Sequence, residues 1–121
     1  MHNFLYGYEE NHKVELNEYL SEKKNNGDFK VLDVGGSVGH WFWDKTDVIF
    51  DIIPPTKNYG TTFNGEYIPG NATLPEGWKN LNSYIKKNGK FDFVICRQTL
   101  EDLGHPEFVV NQLQKVAKAG W

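Results

Sequence analysis

Cysteine is almost absent: Cys96 is the single thiol in a chain of 121 residues. One cysteine cannot close an intramolecular disulfide, and no Cys/His cluster has the spacing of a structural zinc site. We therefore expect a reducing, cytoplasmic setting, no bound metal, and a fold held by its core alone. Long apolar runs are also missing. No stretch approaches the roughly 20 apolar residues of a membrane span, and the opening MHNFLYGYEE has no apolar segment of signal-peptide length. This predicts a soluble chain without a membrane partner. Nor is positive charge in excess: 13 Lys and Arg stand against 16 Asp and Glu, for a net charge of −3. A surface without surplus cations has little to offer a phosphate backbone, which argues against a nucleic-acid partner.

What is present is enough for one core. At 14.0 kDa the chain is the size of a single domain, and 39% apolar residues with 12 glycines is a globular composition. Aromatics reach 15%, with tryptophans at 41, 43, 78 and 121, and packing is the expected use of most of them.

Apolar residues at helical spacing among charges predict a first helix from Glu9 to Lys24, stopped by Asn25-Asn26-Gly27-Asp28. Residues 1–28 thus form a helical extension to a core spanning 29–121. Phe29 to Val34 reads as a buried parallel strand entering a tight Gly35-Gly36 turn, followed by a short helical stretch from Val38 to Trp43. Thr46 to Asp51 is a second strand, ended by Pro54-Pro55. The Gly-, Asn-, Thr- and Pro-rich segment from Thr56 to Pro75 reads as loop, with Glu66-Tyr67-Ile68 as a short strand. A helix from about Trp78 ends near Lys87, where Gly89 supplies the cap. Phe91 to Cys96 is a strand, and Pro106 opens a helix with Phe108, Val109, Leu113, Val116 and Ala117 on one face. Strands alternating with helices predict the α/β class, a Rossmann-like parallel sheet with flanking helices.

The chemistry concentrates in Val31-Leu32-Asp33-Val34-Gly35-Gly36-Ser37-Val38-Gly39. Glycines let the backbone turn sharply beside a ligand, and a following helix start offers N–H groups to an anionic group, so a nucleotide-type cofactor is the natural occupant. A Gly-rich turn without a ligand is the alternative. Asp51, ending the second strand, can accept from both ribose hydroxyls. The dinucleotide fingerprint needs glycine at 35, 37 and 40; the chain has Gly35, Ser37 and His40. An acid-x-G-x-G-x-G pattern fits better, through Asp33, Gly35 and Gly39, with Ser37 the one departure.

That pattern resembles motif I of the class I S-adenosylmethionine-dependent methyltransferases, of the small-molecule, type 11-like kind. The resemblance continues through Asp51, through Tyr67-Ile68-Pro69-Gly70-Asn71-Ala72, and through Phe91 to Leu103 with the helix after Pro106. It covers about residues 29 to 121, and Asn71 stands where the family usually has an acid. It implies that S-adenosylmethionine is the cofactor and a small molecule the methyl acceptor. It also implies that Gly35, Ser37 and Gly39 surround the methionine part, Asp51 the ribose, Ile52 one adenine face, and Asn71 with Ala72 the adenine edge, with Gly36 and Asp33 also among the cofactor-binding residues. Arg97, Gln98 and Thr99 would line the cofactor and substrate side. Asp33 either holds the turn or reaches the methionine ammonium through water. No catalytic base is assignable: His40 and His105 read first as helix-surface or cap residues, Glu101 as a helix-start acid, and Tyr6 and Tyr8 as packing rather than a lid.

The family's sheet runs 3-2-1-4-5-7-6, and about four of its strands, in the order 3-2-1-4, are accounted for here. The expectation is therefore a chain incomplete at its C-terminus, with an exposed fourth-strand edge through which a homodimer could form. Two rivals stand beside the methyltransferase: a non-catalytic binding subunit of the same fold that needs a partner chain, and a nicotinamide-dependent oxidoreductase, against which Ser37 and His40 argue.

Overall fold

The computed structural model describes residues 10–37, 42–55, 62–96 and 106–120. Helix α1 spans Glu10–Asn25, followed by strands β1 (Val31–Val34), β2 (Val48–Asp51) and β3 (Glu66–Pro69), helix α2 (Lys79–Asn88), strand β4 (Phe93–Ile95) and helix α3 (Pro106–Val116). Two short 3-10 turns, Trp43–Lys45 and Pro75–Trp78, precede β2 and α2. The four strands form one sheet in the order β3-β2-β1-β4, and every pairing is parallel. The architecture is the expected α/β, Rossmann-like sheet. Among the described residues, no helix is long and apolar enough to cross a membrane.

Alternation along the strands sends side chains to two cores. Leu32, Val34, Val48, Phe50 and Val94 face the layer of α2 and α3, where Trp78, Leu81, Val109 and Leu113 complete the larger cluster. Val31, Phe93 and Ile95 face the other way and pack against Leu16 and Leu20 of α1. With both faces covered, β1 is buried at all four positions, the carboxylate of Asp33 included. Each fully buried Leu, Ile, Val or Phe contributes about 1.5–3 kcal/mol relative to an exposed side chain.

Strand β1 starts at Val31, two residues later than its sequence pattern: the Lys30 N–H donates to the Asp92 carboxylate (2.8 Å) and the Phe29 carbonyl accepts from Lys24 Nζ (2.9 Å), while the Lys30 carbonyl accepts from the Asp92 and Phe93 N–H groups. Helix α2 ends as expected: Gly89 adopts φ 88° and its N–H bonds the Ile85 carbonyl at 2.7 Å.

The expectation of a bare fourth-strand edge is corrected. After α3 the chain turns back, and Ala117 to Gly120 runs parallel to β4 with bridges at Phe91–Ala117 and Val94–Gly120. The Phe91 N–H donates to the Val116 carbonyl (2.9 Å), Lys118 N–H to Phe91 (3.0 Å) and Val94 N–H to Ala119 (2.9 Å). These bonds occupy the backbone groups that a second copy was expected to use, which removes the premise for a homodimer through that edge.

Candidate functional site

In an open parallel sheet, ligands bind outside the carboxyl ends of the strands. Three loops meet at that end: the turn after β1, the Asp51–Ile53 segment after β2, and the Gly70–Leu74 loop after β3. They carry Gly35, Gly36 and Ser37, then Asp51 and Ile52, then Asn71 and Ala72. The remaining predicted residues, Gly39, Arg97, Gln98 and Thr99, lie outside the described residues. So do Tyr6, Tyr8, His40, Glu101 and His105, and most of the short helix expected from Val38.

The turn after β1 has the backbone that its glycines suggested. Gly35 takes φ 78°, a left-handed conformation that favours glycine. A Cβ on Gly36 would overlap the carboxylate of Asp33, which is completely buried beneath the turn. Asp33 thus lies under the turn, away from solvent. Ser37 is 1% exposed, and its hydroxyl has no hydrogen-bond partner among the described residues.

Two amide donors of this turn are committed within the fold, and the helix start expected to offer N–H groups lies outside the described residues. Here the Gly35 N–H bonds the Phe50 carbonyl (2.8 Å) and the Ser37 N–H bonds Asp51 Oδ2 (3.1 Å). Both of these amides serve to lock the turn onto β2.

Asp51 is the hub of the three loops. Its Oδ2 accepts from Ser37 and its Oδ1 from the Ile52 N–H (2.7 Å). Its carbonyl accepts from the Gly70 N–H (3.0 Å) and from the Tyr67 hydroxyl (3.1 Å). The same hydroxyl lies 3.1 Å from the Ile52 carbonyl, so one phenol spans the peptide that carries both predicted residues. Burial, and then the neighbouring Asp51 charge, push the Tyr67 phenol above its ordinary 10.0. Beyond this hub, Ile52 and Ile53 are 62% and 50% exposed, an apolar ledge beside a carboxylate.

The loop after β3 closes on itself. Asn71 Oδ1 accepts from both the Thr73 N–H (2.9 Å) and the Thr73 hydroxyl (2.6 Å), forming an Asx turn. The amide oxygen expected to meet an adenine amino group is therefore already engaged, and Nδ2 is the group left to face a ligand. Ala72 packs against the larger core, and its carbonyl accepts from Trp78 Nε1 (3.0 Å).

Two positioning residues escaped the sequence reading. Trp43 Nε1 donates to the Gly36 carbonyl (2.9 Å, buried), and Trp78 does the same for Ala72, so an indole pins the loop on each side of the site. Trp43 is set by Phe42, which adopts φ 64° and whose carbonyl accepts from the Lys45 N–H and the Thr46 hydroxyl. Trp78 rests on Phe50 with ring centroids 4.9 Å apart. The available signal was a tryptophan a few residues past each strand-end loop, since a buried indole N–H needs an acceptor.

A separate open groove of about 530 Å3 lies between β3 and α2, bordered by Glu66, Tyr67, Ser83, Tyr84 and Lys87. Two of its polar groups are committed internally, Asn80 Nδ2 to the Pro69 carbonyl and Asn88 Nδ2 to that of Tyr84. Among the described residues, no group of three or more His, Cys, Asp and Glu could hold a metal ion.

The fold and the strand-end site define an α/β protein of the doubly wound kind. No protein-family model matches the chain, and a search of curated proteins returns no relative.

Proposed function

We propose that the chain is the cofactor-binding part of an S-adenosylmethionine-dependent methyltransferase that acts on a small-molecule acceptor. The observation that carries this reading is the Asp51–Ile52 pair, held by five hydrogen bonds beside the glycine turn of β1 with an apolar side chain exposed next to a carboxylate. A carboxylate offers about four lone-pair positions, and two are used here, so Asp51 retains acceptors for two ribose hydroxyls. Ile52 supplies a flat apolar contact for a purine face. Asn71 would donate through Nδ2 to a ring nitrogen, and Ala72 would pack along the purine edge.

The residues fit the cofactor in a second respect. The turn and the two carboxylates beside it, Asp33 and Asp51, suit a nucleoside without phosphates better than a dinucleotide, whose pyrophosphate charge they would repel. This argues against the oxidoreductase reading.

When bound, S-adenosylmethionine would supply a sulfonium methyl group for transfer to the acceptor. The chain's contribution is positioning, worth up to about 7–11 kcal/mol in well-oriented reactions. Asp51 orients the ribose and the pinned loops hold the nucleoside in place. Calorimetric titration of S-adenosylhomocysteine into the wild type and Asp51→Ala tests the reading. Micromolar binding lost in the variant, with no binding of NADH, is the expected result. A folded wild type that ignores S-adenosylhomocysteine, or prefers NADH, overturns it.

A further inference from the structure

The two edges of the sheet differ. The chain itself covers β4, but beyond β3 the described residues supply no further strand. Pairing with β2 engages alternate residues of β3, the Glu66 N–H bonding the Asp47 carbonyl (2.9 Å) and the Gly70 N–H the Asp51 carbonyl (3.0 Å). Tyr67 falls between these positions, so its N–H and C=O point outward, where no partner stands among the described residues. Two residues on, Pro69 has no N–H, and its carbonyl accepts from Asn80 Nδ2 (3.0 Å). That bond bridges strand and helix at the carboxyl end of the groove between β3 and α2. The other end of the groove meets lysines. Tyr84 stacks on Phe91 with ring centroids 5.4 Å apart, which places the last turn of α2 at the amino end of the sheet. Lys86 and Lys87 stand in that turn and Lys90 just past the Gly89 cap, all exposed and none in an ion pair among the described residues. A helix C-terminus attracts cations, which accounts for Lys86 and Lys87 but not for Lys90. Glu66 is the one acid that borders the groove.

We propose that this groove docks an extended acidic segment of a partner protein, which adds to β3 through the Tyr67 peptide and sets its carboxylates against Lys86, Lys87 and Lys90. The chemistry of the occupant follows from the lining. An outward N–H and C=O on an edge strand are matched by another extended backbone lying along it. Three lysines without partners set the sign of the charge and confine it to one end of the segment. A second copy of this chain would bring its own Pro69 and its own bridge to Asn80, leaving one peptide on each side to pair. A lipid surface or a nucleic-acid duplex could reach the lysines but would leave the Tyr67 peptide unmatched.

The test follows a fluorescent peptide of alternating Glu and Thr by anisotropy, with amide chemical-shift mapping of the full chain. Saturable binding that weakens with added salt is expected, with shifts at Tyr67, Lys87 and Gly89. Lys87→Glu combined with Lys90→Glu should lower affinity about tenfold or more, and Glu66→Gln should raise it. Lys79→Glu, exposed in the first turn of the same helix, should leave affinity within about twofold. These changes touch side chains outside the core, and unchanged melting temperatures check that each variant folds. The same peptide N-methylated throughout cannot donate to the Tyr67 carbonyl and should bind about tenfold more weakly. No binding at millimolar peptide, equal losses in Lys79→Glu and the double variant, or shifts that spare Tyr67 overturn the proposal. Tighter binding to phosphatidylserine vesicles or duplex DNA than to the peptide overturns it as well. So does a concentration-dependent dimer that protects the Tyr67 amide without peptide.

Discussion

Strand β2 carries an aspartate at each end of its run, and the two are used in different ways. Asp47, just before the strand, accepts the Val31 N–H (2.8 Å) and the Lys24 ammonium (2.7 Å) on one carboxylate oxygen, while its backbone bonds Val31 and Glu66. Asp51, at the other end, also links β1, β2 and β3, but its carboxylate partners are two backbone amides. No cation among the described residues pairs with it. The amino end of the sheet is closed by lysine: Lys24 on Asp47, and Lys118 on Asp92 (3.3 Å). The carboxyl end has a buried Ser37 hydroxyl, exposed Ile52 and Ile53, and a carboxylate with lone pairs to spare. The same residue type is thus paired with a lysine as well as an amide at one end, and with backbone amides alone at the other. Position in the parallel sheet decides which.

Breaking the carboxyl end should have the largest effect. Gly36→Ala forces a methyl group into the Asp33 carboxylate, and thermal unfolding should show a loss of about 3 kcal/mol or more as β1 or the turn shifts. Asp51→Ala should weaken S-adenosylhomocysteine by about a hundredfold in calorimetry, close to 2.7 kcal/mol. Asp47→Ala is the matched cut at the amino end. It strands the Val31 N–H and Lys24, so denaturant unfolding should show a loss of about 1–2 kcal/mol, with ligand affinity unchanged. If Asp47→Ala and Asp51→Ala weaken binding equally, the contrast between the two ends is lost. Lys118→Ala, at an exposed ion pair, should shift stability by less than about 0.5 kcal/mol.

Alkaline pH gives a finer test of the carboxyl end. The Tyr67 phenol titrates higher in the folded chain than its ordinary 10.0, so the folded state holds its proton longer than the unfolded state. Its stabilising contribution is fully present below pH 10 and is lost as pH rises through the folded value. Tyr67→Phe should flatten that part of the stability profile above pH 10 while leaving neutral-pH folding intact. A profile unchanged by the substitution would mean that burial and the Asp51 charge do not set the phenol's titration.

Most of the fold was legible because burial writes itself into short runs. Val31–Val34 is hidden on both faces and reads as a β-branched and apolar run interrupted only by Asp33, and the Gly35 turn and Gly89 cap mark their own positive φ angles. The segment Ala117 to Gly120 was not legible. It has no strand pattern, and its pairing with β4 depends on where α3 delivers it. At the site, Asp51 and the glycine turn were visible as types at expected places. Whether an amide was free or committed was not, because that is a matter of through-space partners. Asn71 turning its oxygen onto Thr73, and the two indoles reaching back to Gly36 and Ala72, have no one-dimensional signature beyond residue type.

The central claim, that the carboxyl end is a receptor and the amino end a staple, is tested most directly by amide chemical-shift mapping during titration with S-adenosylhomocysteine. The account predicts saturable shifts at Gly35, Ser37, Ile52 and Ala72, with Val31, Asp47 and Asp92 unmoved. Shifts clustered at the amino end or in the groove between β3 and α2, or none at millimolar ligand, would contradict it.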